Sequence, residues 1–306
     1  MCDTSKVSRA IGALVGLAVG DALGTTLEFA GRDQCPLHTE MMGGGPFGLQ
    51  AGEWTDDTSM ALCLADSLLA KGRFDAKDSM DRYVRWWREG ENSSNGSCFD
   101  IGITVSGSLS RYVHSGDPWC GLTDPSTSGN GSLMRLAPIP IFFHDDTDQA
   151  SAMAMAQSRT THASDESVQA CEYYCTLIVE AINGESKERI LRSRESQASE
   201  KIRQIARGNW KSKTRDQIES TGYVVHSLEA ALWSVHTSNS FEGALVKAVN
   251  LAGDADSVGA IAGQLAGALW SYEAIPTRWL QALTQLEHLV GLAKKLYLAR
   301  APDSAI

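Results

Sequence analysis

The chain of 306 residues is short of basic side chains, with 27 Lys and Arg against 37 Asp and Glu and a formal net charge of -10. That deficit excludes a surface built for DNA or RNA, whose phosphates require a basic footprint. An anionic ligand must therefore be held by something other than net charge. The seven cysteines (Cys2, Cys35, Cys63, Cys98, Cys120, Cys171 and Cys175) contain no C-x-x-C pair, and their number is odd. Neither a zinc ribbon nor a complete disulfide framework follows, and a reducing cytoplasm is the expected location. No segment alternates apolar and polar residues for long enough to demand a strand. The longest apolar run, AIGALVGLAVG from Ala10 to Gly20, is too short for a bilayer at about 1.5 Å per residue, and no membrane association is expected. Lys6 and Arg9 before it give it the anatomy of a signal peptide. The helical rhythm nevertheless continues past Asp21 through GDALGTTLEF, so the stretch is read as a structural helix.

What the chain has in abundance is helical periodicity. Apolar residues recur at spacings of three and four over Val7 to Leu23, Ser59 to Ala70, Lys77 to Arg88, Asp148 to Ser158, Asp165 to Asn183, Lys187 to Ala206, Val224 to Val235, Phe241 to Leu251, Ser257 to Tyr272 and Thr277 to Arg300. Ile103 to Val113 also fits a helix. Gly and Pro cluster between these segments, as in GGGPFG (Gly43 to Gly48) and DPSTSGNGS (Asp124 to Ser132). An all-α, compact multi-helix globule is expected, with its active site in loops at helix ends. No linker or shift in composition divides the chain, which predicts a single domain over residues 1–306. Gly12, Gly16, Gly20 and Gly24 fall every four residues, and so do Gly259, Gly263 and Gly267. Each glycine disfavours a helix interior by about 1 kcal/mol against alanine, so the two stripes predict central helices in close backbone contact. From Glu185 to Asp216 there are ten Lys or Arg and five Asp or Glu, read as a solvated amphipathic face.

Two acidic clusters carry the chemistry. GEWTDDTSMAL (Gly52 to Leu62) and LAGDADSVGAIAGQLAGAL (Leu251 to Leu269) each set two carboxylates and a hydroxyl where a helix begins. Capping accounts for one carboxylate at each helix start, because side-chain oxygens accept from its free N–H groups. A hard-metal site accounts for both. An all-oxygen set of Asp with Thr or Ser suits Mg2+ or Mn2+ and argues against zinc or copper. Four aspartates could serve paired ions about 3.5 to 4 Å apart, a common hydrolytic arrangement. GDALGTTLEF adds Glu28 after the first glycine stripe. SGNGSLMR (Ser128 to Arg135) suits presentation of backbone N–H groups to phosphate, and TTHASDES puts His162 before a helix start.

GDALGTTLEF, GEWTDDTSMAL, SCFDIGITVSGSL, SGNGSLMRLAPIP, THAS, TGYVVHSLEAALW and LAGDADSVGAIAGQLAGALW, in this order, resemble the ADP-ribosylglycohydrolases. The likeness is greatest to the dinitrogenase-reductase-activating branch and runs from about residue 10 to about residue 272. It implies an all-α fold with a binuclear Mg2+ or Mn2+ centre that removes ADP-ribose from protein side chains, arginine in this branch. By position, Thr55, Asp56, Asp57, Asp254, Asp256 and Ser257 match the metal motifs, with Ser257 standing where the family usually has threonine. Glu28 and Asp100 match catalytic carboxylates. Gly129, Asn130, Gly131 and Ser132 match the ADP-ribose loop, His162 a substrate-side histidine, and Tyr223 an aromatic able to stack on a guanidinium. The implied partner is an ADP-ribosylated protein, nitrogenase reductase for this branch, with ADP-ribose as product; a monomer is expected.

Two alternatives stand beside this reading. The same scaffold could bind ADP-ribose without cleaving it, or cleave another linkage, such as a serine O-glycoside or a free ADP-ribose derivative. An all-α prenyl diphosphate synthase also pairs acidic clusters with Mg2+, but its D-D-x-x-D pattern is absent, since Thr58, Ser59 and Met60 follow Asp57.

Overall fold

The structure is a computed structural model and describes residues 4–299. Its helices are α1 (Thr4–Gly24), α2 (Asp56–Lys71), α3 (Ala76–Glu89), α4 (Ile103–Ser115), α5 (Pro138–Phe142), α6 (Thr147–Thr161), α7 (Asp165–Ile182), α8 (Lys187–Ile190), α9 (Glu200–Arg207), α10 (Val224–His236), α11 (Phe241–Val249), α12 (Ala255–Trp270), α13 (Thr277–Ala282) and α14 (Leu286–Leu298). Among the described residues there is no sheet, only isolated bridges such as Glu28 with Gly253 and Gly129 with Tyr223. The all-α expectation holds.

The two glycine stripes meet. A Cβ on Gly12 would lie 2.2 Å from the Gly267 carbonyl oxygen, one on Gly16 2.3 Å from that of Gly263, and one on Gly20 2.0 Å from that of Gly259. Real side chains never approach so closely, so α1 and α12 pack antiparallel, backbone against backbone, and each glycine is required by the space. Both helices are almost wholly buried over this contact. The ladder continues to Gly24 against Ala255, and so delivers the end of α1 to the beginning of α12. Helix α1 reaches further toward the N-terminus than the apolar run alone. The stretch Thr4–Leu27 is long and apolar enough to cross a membrane, yet 89% of its apolar window is buried inside the protein.

Two expected helices are broken. Lys187 to Ala206 forms the short α8 and α9 with an irregular segment between. The serines of this segment compete for the backbone, Ser196 Oγ accepting from the Ala198 N–H at 3.1 Å, and Arg192 and Arg194 are drawn onto Glu180. Thr277 to Arg300 divides into α13 and α14, because the Thr284 N–H donates to the Gly52 carbonyl (3.0 Å) and Gln285 turns to φ +53°. Arg300 lies outside the described residues. The basic stretch is largely a salt-bridged surface, as Arg207–Glu195, Arg203–Glu200 and Arg215–Asp33 illustrate.

Candidate active site

Helix α2 begins at Asp56, so both aspartates of the first cluster sit in its opening turn. Neither caps it. The cap comes from α1: one Asp21 oxygen accepts from the Thr55 N–H and hydroxyl (both 2.9 Å), the other from the Thr58 N–H (3.0 Å) and hydroxyl (2.6 Å). At α12 the N-cap Asp254 likewise makes no capping bond with its side chain. Asp56 and Asp57 thus do not cap α2, whereas at α12 Asp256 Oδ1 accepts from the first-turn Ser257 N–H (2.8 Å), so only part of this carboxylate oxygen is left for another partner. Asp21 was missed in the sequence, although one charge inside an apolar glycine-striped helix was a visible signal.

A cleft of about 410 Å³ opens where these helix ends meet. Five carboxylates line it, from Glu28, Asp56, Asp100, Asp254 and Asp256, together with Ser257, Gly129, Asn130, Gly131 and His162. Glu28, Asp100 and Asp256 each bring a carboxylate oxygen within 4.8 Å of the others. The Phe29 N–H donates to the Gly253 carbonyl (2.7 Å), which ties the loop after α1 to the loop before α12. Phe29, Asp100 and Ala252 all have positive φ, at 61°, 59° and 58°. Left-handed backbone in a non-glycine residue is unfavourable, and two such residues in the cleft wall, Phe29 and Asp100, with Ala252 two residues before Asp254, mark a site held under constraint. Asn130 Nδ2 donates to Asp254 at 2.6 Å, joining the glycine loop to the acidic cluster.

The electrostatics are those of an anionic cluster starved of cations. Burial first, and the Asp256 charge second, push Asp100 up to about 9, and both Asp21 and Asp254 up to about 7. Burial and neighbouring carboxylates also raise Glu28, Asp56 and Asp57 far above the carboxylate range. One oxygen each of Glu28 and Asp57 is buried without a hydrogen-bond partner. Buried carboxylate oxygens without donors cost several kcal/mol unless a cation or proton compensates them (about 1–3 kcal/mol each even for neutral groups). The all-oxygen set therefore fits a hard divalent cation, and this acidic group could bind metal.

Not every expected residue reaches the cleft wall. Thr55 and Asp57 stand behind it, fully buried, with the Thr55 hydroxyl also 3.1 Å from Asp57. The Ser132 hydroxyl turns into the core against Ser158 (2.8 Å). Tyr223 lies outside the lining, its hydroxyl donating to Glu166 (2.6 Å) and accepting from Lys201 Nζ (2.7 Å), so its polar end is held by an ion pair away from the cleft. Gly222 lines the cleft in its place, and Ile103 stands at the lip, 93% exposed. Cys35, Cys63, Cys98, Cys120, Cys171 and Cys175 are all free thiols.

Fold and cleft together define a class: an all-α protein with a cleft lined by carboxylates at helix ends. Within that class the chain belongs to the ADP-ribosylglycohydrolase family, whose model matches residues 3–305, and it is a glycohydrolase. It is 46% identical to the ADP-ribosylarginine hydrolase Tri1 of Serratia proteamaculans, covering 98% of this chain and 82% of that one. It is 48% identical to the protein of the same name from Pseudomonas putida, over 97% and 80%. Identity to the ADP-ribosyl-[dinitrogen reductase] glycohydrolase of Rhodospirillum rubrum is 32%, covering 92% of each chain. A solved structure, an ADP-ribosylglycohydrolase-related protein complex, superposes with a TM-score of 0.88 at 42% identity and covers 97% of this chain and 99% of that one.

Proposed function

We propose that the chain hydrolyses the N-glycosidic bond between ADP-ribose and arginine side chains of a modified protein, with two divalent cations, Mg2+ or Mn2+, as cofactors. The observation that carries this reading is the convergence of Glu28, Asp56, Asp100, Asp254, Asp256 and the Gly129–Gly131 loop on one cleft. The two arginine hydrolases at 46% and 48% identity support the linkage.

Thr55, Asp56, Asp57, Asp254, Asp256 and Ser257 would hold the cations. Bound there, divalent ions supply the positive charge, the orientation of ribose hydroxyls and the acidification of water that a glycosidic hydrolysis needs. Asn130 spans from the loop to Asp254, so the same residue couples the sugar-holding and acidic sides. Without cations, burial and neighbouring carboxylates penalise the charged forms of Glu28 and Asp100. Beside bound cations their carboxylate forms would be favoured, and these suit accepting a proton from the attacking water and steadying an oxocarbenium-like sugar. The Gly131 backbone N–H, in the cleft lining, has no protein acceptor among the described residues and suits a diphosphate oxygen.

We read the protein as a monomer acting in the cytoplasm. Nitrogenase reductase as its modified target is supported only by the 32% relative. A non-catalytic ADP-ribose binder is the rival reading, and the full complement of carboxylates weighs against it. Arginine-linked and serine-linked ADP-ribosyl peptides presented with Mn2+, with and without chelator, test the proposal. Release of ADP-ribose from the arginine peptide, abolished by chelator, is expected; binding of ADP-ribose without release would replace the hydrolase reading with the binder.

A further inference from the structure

The residues lining the cleft include five carboxylates and, among the described residues, neither lysine nor arginine. Behind its wall lies one cation of unusual standing. Arg135 is fully buried and has no carboxylate partner among the described residues. Its guanidinium donates to Gln157 Oε1 (3.1 Å), the Gln157 carbonyl (3.2 Å), Thr160 Oγ1 (3.3 Å) and Thr161 Oγ1 (2.8 Å), and its remaining face lies 4.6 Å from the Tyr83 ring centre. A buried charge without a counter-ion is costly, so its retention needs an account.

Thr161 leads from this cation to the cleft. Its Oγ1 is 2.9 Å from His162 Nδ1. Arginine only donates, so the Thr161 oxygen accepts from Arg135 and its own proton is free to go to the histidine. The reverse direction, with Nδ1–H donating to Thr161, would leave the buried hydroxyl proton without an acceptor. Nδ1 therefore accepts, and the imidazole proton sits on Nε2. That nitrogen has no protein acceptor among the described residues, although His162 is only 2% exposed and lines the cleft. The ring lies on the glycine loop: a Cβ on Gly129 would come within 3.1 Å of Nε2, and one on Gly131 within 2.8 Å of Cε1. Neither glycine has a positive φ, so it is the imidazole's space that Gly131 keeps open, while at Gly129 a side chain would press on the ring.

We propose that Arg135 and Thr161 are positioning residues that lock His162 as the Nε2–H tautomer, so that a neutral side chain donates into the cleft to an anionic phosphate oxygen under the polarisation of a buried cation. The inference rests on the reading of the cleft as an ADP-ribose site. Burial, and next the Arg135 charge, hold His162 down at about 3, so the ring stays neutral while it donates. Hydrogen bonds in such a chain reinforce one another in a low-dielectric interior. The arrangement answers how an acidic protein can hold an anion without a cation in the cleft wall.

The test combines a spectrum with two substitutions. In protein labelled with 15N-histidine, the long-range 1H–15N spectrum of His162, assigned by its loss in His162→Asn, should show the Nε2–H pattern at neutral pH. With Mn2+ present, Thr161→Val should weaken ADP-ribose binding about tenfold and raise KM with little change in kcat, the size usual for loss of an orienting partner. Thr161→Ser, which keeps the hydroxyl, should bind within about twofold of the parent. An Nδ1–H or doubly protonated His162 in the parent protein overturns the proposal, as does parental affinity in a folded Thr161→Val. If Thr161→Val does not fold, the parent spectrum and Thr161→Ser still decide. Failure of the parent to bind ADP-ribose at all would instead remove the reading of the cleft, while the spectrum continues to report on the relay.

Discussion

Asp21 caps a helix to which it does not belong: from the end of α1 its carboxylate takes the N–H and hydroxyl of both Thr55 and Thr58 at the start of α2. Its four donors offset part of a charge that still raises the neighbouring Asp57. The Thr55 hydroxyl stands between two carboxylates, 2.9 Å from Asp21 and 3.1 Å from Asp57.

Asp21→Asn removes that acceptor while keeping its shape, and sets an NH2 group against at least one threonine. Loss of an N-cap typically costs about 0.5–2 kcal/mol, so the melting temperature should fall. Mn2+ affinity, measured by calorimetry, should fall about 10- to 100-fold as for other residues that orient metal ligands. Unchanged Mn2+ affinity in the folded variant would show that Asp21 serves α2 alone.

Asp56→Ala and Asp256→Ala should each abolish turnover and weaken Mn2+ binding while the circular dichroism spectrum stays helical. In chelator, Asp256→Asn should melt higher than the parent, since it removes one member of a mutually repelling buried group. Full activity in either alanine variant would count decisively against the assigned role of the clusters.

The raised carboxylates set a pH dependence whose sign is fixed. Asp100 near 9 and Asp254 near 7 bind protons in the folded state that the unfolded chain has already released. A raised folded value gives stability that is complete below the unfolded value of about 4 and disappears as pH rises through the folded one. The chelator-treated protein should therefore melt progressively lower between about pH 4 and 9, and the gain on adding Mn2+ should widen over the same interval because protons no longer compete. A flat chelator curve would mean that the cluster is already compensated within the protein.

The glycine ladder offers a matched pair of substitutions. Gly263→Ala puts a methyl 1.9 Å from the Gly16 carbonyl oxygen and should destabilise by about 3 kcal/mol or more, as overpacking of backbone does. Gly291→Ala in α14 meets nothing within 4 Å and should stabilise by about 0.5–1 kcal/mol through helix propensity. Urea melts of the two variants read both signs.

The sequence made plain those features that local chemistry can write. Stripes at four-residue spacing required backbone contact and found it, and of the paired carboxylates at two helix starts Asp56, Asp254 and Asp256 meet in one cleft with Asp57 behind its wall. What stayed hidden depends on tertiary neighbours. Nothing near Thr55 says that its cap comes from Asp21, and nothing near Leu283 says that Gly52 will interrupt a continuous helical pattern. Tyr223 bears an aromatic suited to a guanidinium, but only the fold shows it outside the cleft lining, its hydroxyl held by Glu166 and Lys201. Arg135 reads as an ordinary basic residue after a glycine loop until its burial is known.

The ladder between Gly12 and Gly267 also fixes when the reaction centre can exist. Asp256 is synthesised some two hundred residues after Asp56, and the helix that brings them together is made before both. Contacts so distant along the chain are slow to form, because the loop must close before it is rewarded. A nascent chain stalled before α12 would carry α1 with its apolar stripe uncovered and the cleft's carboxylates without Asp256. On the ribosome such a fragment is a client for chaperones, and hydrolysis begins only with the completed circuit.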